Sequence, residues 1–204
     1  MGGDGGRGRV YDGPQDRVYD RATRFWLTDL AWGKTSLLLA GSNEEAARLA
    51  GLARERRIER GQLAGGREIT LRDGNSASRG DLVRARLNTE IGAGGRPLAN
   101  RDVIRITGWV GEGPQRQANA QRQMEHPDAG GRQWSDEFTV PAAYLKENAE
   151  PAYAGNVYVA QGRTVDSAHL VVSEGIGRYR IPPRERLRRS LLVSRRPTVG
   201  GDPE

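Results

Sequence analysis

Leu37-Leu38-Leu39-Ala40-Gly41-Ser42-Asn43-Glu44-Glu45-Ala46-Ala47 is the stretch on which the architecture turns. Four apolar residues ended by glycine read as a short strand buried on both faces, the type found in parallel sheets. Ser42 followed three residues later by Glu45 has capping-box spacing: the serine oxygen takes a free amide of the helix start, and the glutamate reaches back to the serine's own amide. The helix so opened carries Ala46, Ala47, Leu49, Ala50, Ala53 and Ile58. It closes on Arg56, Arg57 and Arg60 before Gly61, as the helix dipole and C-terminal capping favour. Upstream, Val18, Ala22, Phe25, Trp26 and Leu30 share one face of a helix predicted over 16–30, which Gly33 ends. Helix, strand and helix in succession place the chain in the α/β class.

Past Gly61 the texture changes. Ile69-Thr70-Leu71, residues 82–87, residues 103–107 and Phe138-Thr139-Val140 read as short strands between Gly, Asn and Asp turns. That spacing predicts a small β-barrel. Residues 111–135 are polar, rich in Gly, Gln and Arg, and read as a long loop. The α/β texture returns from Ala152, with a further buried strand over 168–172, so the barrel is expected to be an insertion. The expected organisation is a disordered tail over 1–15, an α/β domain over 16–77 plus 148–177, an inserted barrel over 78–147 with its loop at 111–135, and an arginine-rich tail over 178–204.

Composition narrows the chemistry. The 204 residues contain no cysteine, which excludes a disulfide framework, a zinc–thiolate site and a cysteine nucleophile. Two histidines, His126 and His169, exclude a histidine-rich metal cluster. No apolar run approaches membrane-spanning length and the first residues lack the apolar stretch of a signal peptide, so a cytoplasmic protein without a membrane partner is expected. The net charge of +6 is uneven: residues 178–196 carry eight arginines against one glutamate, and the first 177 residues are close to neutral. Lys34 and Lys146 are the only lysines among 32 basic residues, a bias that reflects genome composition more readily than phosphate recognition.

Gly33-Lys34-Thr35 imitates the end of a phosphate-binding loop, but the required first glycine position is Thr28, and helix precedes strand rather than following it. Without a glycine loop opening a helix, the backbone amides cannot cradle a phosphate, so these residues read as a helix-to-strand turn. In Tyr153-Ala154-Gly155-Asn156-Val157-Tyr158-Val159-Ala160-Gln161-Gly162-Arg163-Thr164-Val165-Asp166, propensity alone makes Val157-Tyr158-Val159 a strand and Gln161-Gly162 a turn. No nucleophile–base pair or carboxylate pair can be built there, and His169, among apolar residues, reads as a core histidine.

The pattern Tyr-Ala-x-x-Val-x-x-Ala-Gln-Gly-x-Thr-Val-Asp at 153–166 resembles motif V of RecD-like superfamily 1 DNA helicases, and most nearly the helicase part of TraA/TrwC-type (MobF) conjugative relaxases. Residues 37–49 are similar to the family's motif IV strand and helix. Leu71-Arg72-Asp73-Gly74 and residues 80–88 resemble the start of its inserted Src-homology-3-like barrel, Asn100-Arg101-Asp102 an Asn-Gly-Asp turn within it, and residues 138–144 its end. The resemblance covers residues 16–177 and implies a RecA-like second motor domain, of the UvrD/RecD helicase C-terminal type, carrying that small barrel.

In the family this domain closes over ATP held by the first motor domain. The resemblance therefore implies that Gln161, Gly162 and Thr164 lie near the nucleotide phosphates or the single strand, and that Ser42, Asn43, Asn156 and Tyr158, with Arg184, Arg186, Arg188 and Arg189, are candidate nucleic-acid contacts. The chain departs from the family where Thr-Val-His and a basic residue become Asn156-Val157-Tyr158-Val159. It also lacks a following Tyr-Val-Ala-x-Thr-Arg motif, a phosphate loop, an Asp-Glu metal motif and the relaxase histidines. The expected function is the motif IV–V half of an ATP-dependent single-stranded DNA motor, with no catalytic residue or metal site and no activity alone. ATP and magnesium would enter only through a phosphate-loop-bearing first motor domain encoded nearby, and weak single-stranded DNA binding is expected. The alternative is a degenerate remnant or adaptor that binds a protein partner.

Overall fold

A computed structural model describes residues 9–93, 96–124, 133–160, 163–173 and 188–195. Its elements in chain order are β1 (Arg9–Pro14), α1 (Gln15–Ala31), β2 (Ser36–Ala40), α2 (Asn43–Glu59), β3 (Ile69–Thr70), β4 (Ser76–Ala77), β5 (Leu82–Ala85), β6 (Thr89–Ala93), β7 (Arg96–Leu98), β8 (Val103–Val110), β9 (Gln117–Met124), β10 (Gln133–Trp134), β11 (Phe138–Pro141), α3 (Ala142–Asn148), β12 (Ala149–Pro151), β13 (Gly155–Asn156), β14 (Ser167–Ser173) and β15 (Arg188–Arg195). The chain is mixed α/β and divides into two compact units, one of residues 1–52 and 154–204, the other Ala53–Tyr153. The second is wider than the expected insertion because its boundary falls inside α2.

The first unit holds a five-stranded, wholly parallel sheet in the order β1-β15-β14-β2-β13. Leu38 and His169 lie side by side in neighbouring strands, and α1 reaches this face through Phe25 and Asp29, which meet the His169 ring. Leu39, Ala168 and Leu170 are buried, with Leu37, Val157, Ala160 and Val172 packed against them. The capping box forms as the spacing requires: Glu45 N donates to Ser42 Oγ at 3.1 Å, and Ser42 N donates to Glu45 Oε2 at 3.2 Å.

Two tails expected from sequence are partly strand. Residues 9–14 form edge strand β1, whose Tyr11 ring lies 5.6 Å from Phe25; residues 1–8 are outside the described residues. Proline at the end of an edge strand forfeits no ladder bond there, so Pro14 did not forbid it. β15 runs between β1 and β14, and its Leu191-Leu192-Val193 is the short apolar run of a strand inside a parallel sheet, which the flanking arginines mask.

The second unit is antiparallel: β10-β9-β8-β5-β12 form one sheet, with β11 also on β9, and β3–β4 and β6–β7 are separate pairs. No closed barrel forms among the described residues; the sheet path is open. Val83, Ile104, Ile106, Ala118, Ala120, Val140 and Leu145 form the heart of its core. Within the loop expected over 111–135, all of 117–124 is strand β9. Its inward positions Ala118, Ala120 and Arg122 alternate with Gln and Asn, a period-2 pattern whose small inward residues hide it from a hydrophobicity reading.

Asn100-Arg101-Asp102 is a turn in which Asp102 N donates to Ala99 O at 3.0 Å and Ala99 N to Asp102 Oδ2 at 2.9 Å. Arg101 sits at φ +78, in the left-handed region that favours glycine. Deeper in the same unit, Arg54 donates to Asp81 and Glu68 at 3.0 and 2.7 Å, while the Tyr153 hydroxyl donates to Asp81 Oδ1 at 2.6 Å and accepts from Leu82 N. Burial and the Asp81 carboxylate push the Tyr153 phenol well above its ordinary value, which keeps it a donor.

Candidate nucleic-acid interface

β2 and β13 run parallel, with Asn156 beside Ala40, so both strands end on the same edge of the sheet. Crevices outside the carboxyl ends of parallel strands are where ligands enter open α/β sheets. From β2 the chain passes through Gly41 and Ser42 into α2; from β13 it enters a single 3-10 turn over Val157–Ala160. Asn156 Nδ2 donates to Asn43 Oδ1 at 2.7 Å, joining residues 113 apart in sequence.

The 3-10 turn replaces the strand expected from propensity at 157–159, and its causes are local. Asn156 Oδ1 accepts from Tyr158 N at 3.1 Å, an Asx turn that bends the chain directly after β13. Side chains three apart stack in a 3-10 helix, so Val157 and Ala160 both turn down onto the Leu39–Leu170 core. Val159 folds back on Gly155, where an added Cβ would stand 2.7 Å from Val159 Cγ2. Tyr158 is left facing outward, 58% exposed. Tertiary contact and a side-chain cap here override β-propensity. Asn156, a turn-forming residue, and the apolar pair at positions 157 and 160 are the sequence signals of this turn.

The site residues distribute unevenly. Asn43, Asn156 and Tyr158 gather at the carboxyl edge, beside Ser42, whose hydroxyl is engaged in capping α2. Thr164 is exposed on the segment that returns the chain to the amino edge, where Asp166 and Ser167 donate their amides to Thr35 O. Gln161, Gly162, Arg184 and Arg186 lie outside the described residues. Arg188 and Arg189 open β15, in register with Ser167 and Ala168 at its amino end.

The amino edge holds a polar cluster of a different kind. Asp29 accepts from Lys34 Nζ at 2.8 Å, Ser167 Oγ at 2.6 Å and His169 Nε2 at 2.9 Å. Burial pushes the Asp29 carboxyl up, but these donors outweigh it and hold it below its ordinary value. His169, 4% exposed, has its pKa lowered because burial outweighs the pull of Asp29. Serine and histidine both bind the carboxylate rather than each other, so the cluster is not a nucleophile–base pair.

Gly33-Lys34-Thr35 forms the connection between α1 and β2. Gly33, at φ +74, turns the chain out of α1 into β2. Lys34 is tied to Asp29 and lies 4.6 Å over the Trp32 ring, and Thr35 Oγ1 donates to Asp166 at 2.7 Å. Among the described residues no group of acidic and histidine side chains could hold a metal ion, and no helix is long and apolar enough to cross a membrane.

No family model matches this chain, and no curated protein does. Among solved structures it is similar to Pif1 helicase from Candida albicans, with a TM-score of 0.31 and 9% identity, over 95% of this chain and 47% of that one. The chain thus spans about half the length of that helicase.

Proposed function

We propose that this chain is the second motor half of a RecD-like superfamily 1 DNA helicase, of the type carried by TraA/TrwC (MobF) relaxases, and that its own task is to hold single-stranded DNA. The observation that carries the reading is the Asn156–Asn43 hydrogen bond. It brings the motif V-like and motif IV-like stretches together at the carboxyl edge of a parallel sheet. Asn43 Oδ1 is occupied by Asn156, so its amide keeps two N–H donors for a phosphate oxygen or base edge. The first amides of α2 add a weakly positive end beside it. Hydrolysis requires phosphate-loop and magnesium groups from a partner domain, since Lys34 is committed to Asp29.

The test is a salt titration of single-strand binding by the full chain and by Asn43→Ala, Asn156→Ala and Arg184→Gln/Arg186→Gln variants. Binding that weakens steeply with salt, and about 3- to 10-fold further in either asparagine variant, is expected from one or two lost hydrogen bonds. A chain ending at residue 177 is unsuitable, because it lacks strand β15. Absence of single-strand binding at low salt would favour the adaptor reading, to which the inward turn of Val159 at the family's basic position also points.

A further inference from the structure

We infer that Tyr158 is a stacking platform for one unpaired nucleobase, placed at the carboxyl edge by the 3-10 turn that carries it; the inference rests on the single-strand reading above. Tyr158 is 58% exposed. Exposure alone would mean little, since lone surface aromatics are common. Here the backbone beneath the ring is fixed on three sides. Its own amide is held by Asn156 Oδ1 at 3.1 Å. The preceding Val157 and following Ala160 are packed on the sheet core. The intervening Val159 rests on Gly155 closely enough to exclude a Cβ there. A residue with two χ angles on an immobilised backbone loses little entropy when a planar ligand lies on it.

The neighbouring groups have the matching chemistry. Asn156, which holds the Tyr158 amide, also holds Asn43, so Tyr158, the amide donors of Asn43 and the amino end of α2 are linked at one edge of the sheet. That edge carries both an exposed aromatic residue and neutral hydrogen-bond donors. Aromatic side chains beside backbone-tracking donors are how single strands are held without sequence preference.

The experiment compares two oligonucleotides of equal length and phosphate count, one of thymidines and one fully abasic, by fluorescence anisotropy at fixed low salt. The proteins are the full-length chain and its Tyr158→Phe, Tyr158→Leu and Tyr158→Ala variants, each checked for native circular dichroism. The full chain and Tyr158→Phe should bind the thymidine strand about 5- to 150-fold tighter than the abasic strand, the span that one stacked base supplies. Tyr158→Leu and Tyr158→Ala should lose most of that ratio while binding the abasic strand as the unaltered chain does. Two independent non-aromatic variants keep the test valid if one folds poorly. A ratio that survives in both puts the stacking aromatic elsewhere, such as Trp134 under Arg105, and overturns the inference. Equal binding of the two strands by the full chain overturns it too, while leaving the single-strand reading standing. No binding of either strand overturns both.

Discussion

Gly155→Ala is the sharpest perturbation of the carboxyl edge. Glycine has no left-handed φ at this position, so alanine fits the backbone, and restricting the unfolded chain would ordinarily stabilise the protein by about 0.4–1 kcal/mol. The local packing reverses the sign. A Cβ on residue 155 would stand 2.7 Å from Val159 Cγ2, 3.0 Å from Val159 Cβ and 3.2 Å from Val159 Cγ1. The 3-10 turn must lift, loosening Val157 and Ala160 from the core they cover. Overpacking of this kind costs about 1–3 kcal/mol, so a net loss of roughly 0.5–2 kcal/mol is expected. Val159→Ala removes both Cγ atoms, and the double variant should recover at least half of the loss. The assay is a urea-denaturation double-mutant cycle at constant pH, whose signature is a double variant less destabilised than the sum of its two single variants. A Gly155→Ala chain as stable as the unaltered one, or a double variant whose effects simply add, would refute the packing of Val159 on Gly155.

Further expectations concern other parts of the molecule. Arg101→Gly should raise stability by about 0.5–1 kcal/mol, because relief of the left-handed conformation exceeds glycine's entropic cost; thermal melting should show a higher midpoint. Tyr153→Phe deprives Asp81 of one donor and Leu82 N of its acceptor and should cost about 1–3 kcal/mol in the same assay, with no gain in midpoint at any pH. His169 has a lowered folded pKa, so the unfolded chain takes up the proton first. Its contribution is complete above the unfolded value near about 6.5 and is lost as pH falls from there through the folded value. Melting temperature should therefore drop as pH falls below about 6.5, and His169→Gln should flatten that drop; an unchanged slope would separate acid sensitivity from the Asp29–His169–Lys34 cluster.

The helix–strand–helix unit was legible because each of its signals is local. Four apolar residues, a serine–glutamate pair and a closing glycine act within one turn of their own positions, and all three appear in the structure. The parallel strand at 167–173 was legible for the same reason. What escaped depends on partners distant in sequence. β1 and β15 exist by pairing with each other, at opposite ends of the chain. β9 inserts alanines and Arg122 where a hydrophobicity reading looks for large apolar residues; Arg122 is tolerated inside because its Nη1 donates to the carbonyls of Arg96 and Pro97. At the candidate site the residue types were readable, but the conformation of 157–160 was not, because a side-chain cap and contact with Gly155 outweigh three β-favouring residues.

Single-stranded DNA is proposed to lie on the carboxyl edge of the parallel sheet. Photocrosslinking of the full chain to a bromodeoxyuridine-substituted single strand, followed by mass-spectrometric mapping of the attached peptides, tests it most directly. Crosslinks are expected on Tyr158 and on the peptide that includes Ser42 and Asn43, suppressed by Asn156→Ala and by competing unlabelled strand. Crosslinks confined to residues 53–153, or to the amino edge around Trp32 and Lys34, would contradict it.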